Sequence, residues 1–185
     1  MRCLLAEASV MDWSIGTADF ATAFLNAHLV DEEDGVYIVK PPQYLVEIGL
    51  EEANIYWKLD RAMYGLRKAP KKWEETRNAG LKELTVEPNT KEEKQLSLIQ
   101  CNHAKNIWMI RELQEDGTYR MVGKLLMYVD DVLALGPTKV VERVLLQIKE
   151  QWSLSIKGIL VRDGIESEFK VDSLGFLGCT LELGK

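Results

Sequence analysis

KLLMYVDDVLAL, residues 124–135, is the stretch on which the reading of this chain turns. Lys124 to Val129 is a near-continuous apolar run, Val132 to Leu135 is another, and Asp130-Asp131 stands between them. Short apolar runs of this kind read as buried strands. The stretch therefore predicts a β-hairpin with two acids at its tip. Solvated acids are ordinary at a turn. A two-residue hairpin, however, prefers Asn-Gly or Asp-Gly, because its central residues take positive φ. Asp-Asp has no glycine and sets two like charges side by side, each opposing ionisation of the other. A pair kept against both turn chemistry and electrostatics points to a cation. Magnesium suits such a pair, being a hard ion held by a few carboxylates together with substrate phosphates.

Outward from the hairpin, Pro137 opens a helix in which Val141, Val144, Leu145, Ile148 and Trp152 form one apolar stripe. Short strands are expected around Asp163-Gly164 and Gly175–Gly178. Upstream, Asn106–Glu112 and Thr118–Gly123 flank Gln114-Glu-Asp-Gly117, a hairpin signal, and residues 86–95 read as a polar surface loop. Pro70 fits the first turn of a helix carrying Trp73, Gly80, Leu81 and Leu84 on one face. Val36–Lys40 and Ile55–Leu59 read as short strands, and residues 43–53 as irregular. Ala21–Leu29 suits a short helix or helical turn, and Trp13–Asp19 a strand that ends on an acid. Residues 2–10 have helical spacing. Strands and helices mix without strict alternation, so the expected class is α+β, one domain with a largely antiparallel sheet and packed helices. Asp19 is the natural third carboxylate if its strand lies beside the hairpin. Taken alone, it reads as a helix N-cap for Ala21 onward.

Composition limits the function classes. With 185 residues, 46% hydrophobic and 28% charged, the chain is long enough for one real core and reads as globular. No apolar run approaches the ~20 residues of a membrane span, and the N-terminus lacks a secretory pattern. Three well-separated cysteines, Cys3, Cys101 and Cys179, argue against a disulfide framework or a zinc site and for a reducing compartment. A net charge of −6 argues against a free-standing nucleic-acid binder. Cations nevertheless crowd one stretch, Lys58, Arg61, Arg67, Lys68, Lys71 and Lys72, while acids gather at residues 31–34 and 51–52. A charge run is ordinarily a solvated face, and a local phosphate-contacting surface is the sharper alternative.

Four segments, in order, carry a resemblance to one family. Tyr128-Val129-Asp130-Asp131 resembles the Y-V-D-D signature of reverse transcriptases. Asp19-Phe-Ala-Thr-Ala-Phe24-Leu-Asn26 resembles the copia-type D-V-x-x-A-F-L-N-G. Met63-Tyr64-Gly65-Leu66-Arg67-Lys68-Ala69-Pro70-Lys71-Lys72-Trp73 resembles L-Y-G-L-K-Q-A-P-R-x-W, and Phe176-Leu177-Gly178 the F-L-G after the palm helix. Arg2-Cys-Leu-Leu-Ala6 and Trp13 are similar to the helix and tryptophan before the first motif; together these segments cover nearly the whole chain, and the Y-G-L-x-x-A-P segment points to copia-type retrotransposons.

The resemblance implies a polymerase palm-like fold and RNA- or DNA-templated DNA synthesis. It implies two Mg2+ ions, or Mn2+ in their place, held by Asp19, Asp130 and Asp131. It puts Phe24, Tyr64, Gly65 and Arg67 at the incoming nucleotide. Lys68, Pro70, Tyr128, Val129, Phe176, Leu177 and Gly178 would then meet template and primer. Several of these have ordinary readings as well: Phe24 as a core residue, Arg67 and Lys68 as solvated surface, Phe176–Gly178 as a tight turn. The implied partners are a primed template, deoxynucleoside triphosphates and the rest of a Pol polyprotein, in a cytoplasmic virus-like particle or the nucleus, with no membrane. The chain departs from the pattern at Met63, at Ala27 and Lys68, and in the acidic run at 31–34. It reads as a partial palm region, with thumb and ribonuclease H segments not recognisable in it. A catalytically inactive remnant or nucleic-acid-binding fragment is the alternative.

Overall fold

A computed structural model describes residues 1–30 and 35–184, so the acidic run at 31–34 lies outside the described residues. The first half comprises α1 (Arg2–Val10), β1 (Ser14–Phe20), a 3-10 turn (Ala23–Asn26), β2 (Ile38–Val39), α2 (Gln43–Glu47), β3 (Trp57–Lys58) and α3 (Ala69–Glu83). Then come β4 (Thr85–Val86), β5 (Leu96–Gln100), β6 (Ile107–Leu113), β7 (Tyr119–Tyr128) and β8 (Asp131–Gly136). The chain closes with α4 (Thr138–Gln151), β9 (Leu154–Leu160), β10 (Lys170–Val171), β11 (Ser173–Phe176) and β12 (Cys179–Glu182). The class is α+β, as expected. No helix among the described residues is long and apolar enough to cross a membrane.

Two compact units divide the chain: Met1–Ala21 with Arg77–Lys185, and Thr22–Thr76. The first is built on an eight-stranded sheet in the order β10-β9-β1-β8-β7-β6-β5-β4. Every neighbouring pair is antiparallel except β10 with β9. β1 comes first in the chain yet sits inside the sheet, between β8 and β9. On one face lies α4, whose Val141, Val144, Leu145 and Ile148 are fully buried. Burying each such side chain contributes about 1.5–3 kcal/mol relative to exposure, so this stripe anchors the helix. The opposite face carries a cluster of Leu4, Ala8, Trp13, Leu126, Leu133, Leu135 and Phe176. Ser14 and Thr138 share a buried hydroxyl hydrogen bond of 2.7 Å that ties the start of β1 to the start of α4.

In the second unit β2 and β3 pair antiparallel, Ile38 with Lys58 and Val39 with Trp57. Backbone bonds Leu59 N–H to Tyr37 O (2.9 Å), Leu29 N–H to Asp60 O (2.9 Å) and Ala62 N–H to Ala27 O (2.8 Å) extend that frame.

The elements differ from the sequence expectation where local pattern is weak. The strands expected at Val36–Lys40 and Ile55–Leu59 shrink to two residues each, and Ala21–Leu29 yields one 3-10 turn. α2 was expected to be irregular. It buries no residue, so it shows no apolar stripe to read; Pro42 precedes it, and Gln43 donates to Glu47 across one turn at 2.8 Å. β5 follows the polar loop directly, its alternation confined to Leu96, Ser97 and Leu98. The first late strand is β9, earlier than expected, and Asp163-Gly164 forms a turn after it.

Candidate active site

β7 and β8 form the expected hairpin, but its tip is displaced by one residue. Tyr128 pairs with Asp131, so Val129 and Asp130 are the two turn residues and Asp131 already belongs to β8. The conformational burden falls on Val129, with φ +54°. A β-branched side chain in the left-handed region is a genuine outlier, costing on the order of 1–3 kcal/mol. The surroundings impose it. The Asp130 carbonyl accepts the Phe20 N–H at 2.8 Å. The Val129 carbonyl accepts Nη1 of Arg77 at 3.1 Å.

Register brings the third acid to this turn. β1 runs antiparallel to β8 with Asp19 opposite Asp131, Thr17 opposite Leu133 and Ile15 opposite Leu135. Side chains directly opposite one another share a sheet face, and like charges so placed repel. Burial, then the charges of Asp130 and Asp19, push the Asp131 carboxyl above its ordinary value, and Lys157 pulls it down. Lys157 reaches Asp19 Oδ2 at 3.8 Å. It does so from a β-bulge: Gly158 pairs with Thr17 and Ile156 with Ala18, leaving Lys157 as the extra residue of β9. Bulges re-aim side chains in this way. The donor set, three carboxylates of which one is driven toward protonation, fits a hard cation. Among the described residues no three His, Cys, Asp or Glu side chains are gathered tightly enough to hold a metal ion by themselves.

The remaining sequence-derived residues occupy varied settings. Phe24, in the 3-10 turn, is buried, its ring centroid 4.6 Å from that of exposed Tyr64. Gly65 has φ +95° and open space where a Cβ would stand, so its glycine answers backbone conformation rather than close approach of another group of the chain. Arg67, Lys68 and Pro70 are exposed at the start of α3. In the same basic stretch Lys71 and Lys72 pair with Glu75 at 3.7 and 3.9 Å. Tyr128 is exposed at the end of β7. Leu177 (φ +48°) and Gly178 (φ +75°) are the turn residues of the β11–β12 hairpin, and Phe176 is buried in the core cluster.

Sequence reasoning passed over Lys157 and Arg77. Gly158 inside a strand pattern is the usual sign of a bulge and was the signal for the first. Arg77 stands four residues after Trp73, on the face that also carries Gly80, Leu81 and Leu84, and is only 3% exposed. A cation on a buried helical face was its signal.

Residues 1–172 match the family model described as reverse transcriptase (RNA-dependent DNA polymerase). The chain is similar to a putative transposon Ty5-1 protein of Saccharomyces cerevisiae, 27% identical over 141 residues, which is 76% of this chain and 38% of that protein. It is also similar to a retrovirus-related Pol polyprotein from transposon RE1 of Arabidopsis thaliana, 36% identical over 73 residues, 40% of this chain and 5% of the polyprotein. The chain thus spans well under half the length of these relatives. No solved structure matches it significantly.

Proposed function

This chain belongs to the reverse transcriptase (RNA-dependent DNA polymerase) family, and on that premise we propose that it is the palm region of a copia-type Pol polyprotein in which Asp19, Asp130 and Asp131 hold the catalytic metal ions. The observation that carries the reading is the register of β1 on β8. It sets Asp19 opposite Asp131, next to Asp130 in a strained turn. The charges of Asp130 and Asp19 oppose ionisation of Asp131, and Lys157 acts against them. A bound dication turns that repulsion into attraction.

Asp19, Asp130 and Asp131 would hold the metal ions, which would supply activation of a primer 3′-hydroxyl and charge stabilisation at the leaving phosphate oxygen. The chain's own part is to hold the carboxylates. β1 presents Asp19, β8 presents Asp131, and the turn presents Asp130. Lys157 pairs with Asp19 at 3.8 Å. From the resemblance, Phe24, Tyr64, Gly65 and Arg67 meet the deoxynucleoside triphosphate. Lys68, Pro70, Tyr128, Val129, Leu177 and Gly178 meet template and primer, in a cytoplasmic particle or the nucleus, while Phe176, buried in the core cluster, anchors the turn that carries Leu177 and Gly178.

Primer extension on an oligonucleotide-primed RNA template tests this. Mg2+-dependent extension is expected from the wild-type chain set within the rest of a Pol polyprotein, and Asp130→Asn is expected to reduce it to background. Equal rates for the two would refute the assignment. The second reading, an inactive remnant or nucleic-acid-binding fragment, draws on the net charge of −6. It expects no extension despite intact acids.

A further inference from the structure

Val129 holds a left-handed conformation that its own side chain opposes, so neighbouring groups must maintain the turn. Two donors from different elements meet its two carbonyls. Phe20 N–H of β1 bonds Asp130 O at 2.8 Å. Arg77 of α3, 3% exposed, donates Nη1 to Val129 O at 3.1 Å. The guanidinium is itself aimed: Nε and Nη2 donate to Asn78 Oδ1 at 3.3 and 3.0 Å, which leaves Nη1 toward the turn. A planar fork can serve both acceptors at once, whereas a lysine ammonium is a single point charge. A guanidinium that stays buried without its carbonyl acceptor would bear the desolvation cost of an unsatisfied donor, which favours keeping this bond.

We infer that Arg77 is a positioning residue of the acid site: by holding the Val129 carbonyl it keeps the turn that fixes Asp130 against the end of β1, where Asp19 lies. This rests on the reading of those acids as metal ligands. Arg77 acts through the backbone of the turn and touches no substrate. Its role is that of the outer groups that orient metal-binding residues, whose loss commonly weakens binding ten- to a hundredfold.

The test is Mn2+ binding by the full 185-residue chain, followed by the electron paramagnetic resonance signal of free Mn2+. Amide hydrogen exchange at Asp130 and Asp131 is measured in parallel. Arg77→Met is expected to weaken Mn2+ binding by roughly ten- to a hundredfold and to speed exchange at both amides. Val129→Gly added to Arg77→Met is expected to bring affinity back to within about threefold of the wild type, because glycine takes positive φ unaided. A purely structural arginine would lower the melting temperature without this recovery. Folded Arg77→Met with wild-type Mn2+ affinity overturns the inference, as does an affinity loss that Val129→Gly leaves untouched. Should Arg77→Met not fold, Arg77→Lys replaces it. It keeps the charge but not the fork and is expected to lose affinity too; wild-type affinity there overturns the inference. Wild-type chain that binds Mn2+ no better than Asp130→Asn overturns the underlying metal assignment instead, so the two failures are distinct.

Discussion

Asp131 shows how one residue records its neighbours. Its carboxyl is held above its ordinary value by burial and then by Asp130 and Asp19. Between the unfolded pKa and the raised folded one, the folded chain binds more protons than the unfolded chain. Stability associated with this group is present below the unfolded pKa and is lost as pH rises through the raised folded pKa. In the absence of divalent cations, Asp131→Asn, which cannot ionise, is expected to melt higher than the wild type near neutral pH. The difference should vanish at pH values below the ordinary carboxylate range. A wild-type melting curve that matches the variant at neutral pH would contradict this. At this scale the sequence was legible in part. Like charges in adjacent positions are visible in any reading of Asp130-Asp131. The strain was not, because the pairing of Tyr128 with Asp131 moved it from the acids to Val129.

Among elements, the β7–β8 hairpin and α4 were legible because each carries its signal in contiguous residues, apolar runs in one and a helical stripe in the other. β5 and α2 were hidden by polar surroundings and by the lack of a buried face. Packing between elements adds constraints that periodicity does not carry. A Cβ on Gly123 of β7 would lie 2.5 Å from the Leu135 carbonyl oxygen of β8. Gly123→Ala must therefore push the two strands of the hairpin apart. A loss of about 1–3 kcal/mol in urea unfolding is expected, the usual cost of overpacking. An unchanged unfolding midpoint would mean that the hairpin relaxes around the methyl group without cost.

Over the whole molecule, the charge balance sets how nucleic acid is met. The net charge is −6, and Lys71 and Lys72 of the basic stretch are already paired with Glu75. Acids outnumber cations 29 to 23, so the chain as a whole does not favour contact with phosphate. Binding of the chain to a primer–template, followed by fluorescence anisotropy, is expected to be weak and salt-sensitive. The slope of log affinity against log salt should be no steeper than about −4, since each neutralised phosphate contributes about −0.9. Tight binding that persists at high salt would contradict this. By itself the sequence determined the α+β class, the hairpin, the helices with apolar stripes and the family, because each is written in residues close together in the chain. The tertiary structure decided that β1 inserts between β8 and β9, that Asp19 faces Asp131, that a bulge turns Lys157 toward Asp19 and that Arg77 reaches Val129. Those pairings join residues far apart in the chain. They depend on which surfaces remain to be buried once the local elements exist, and no local pattern encodes that.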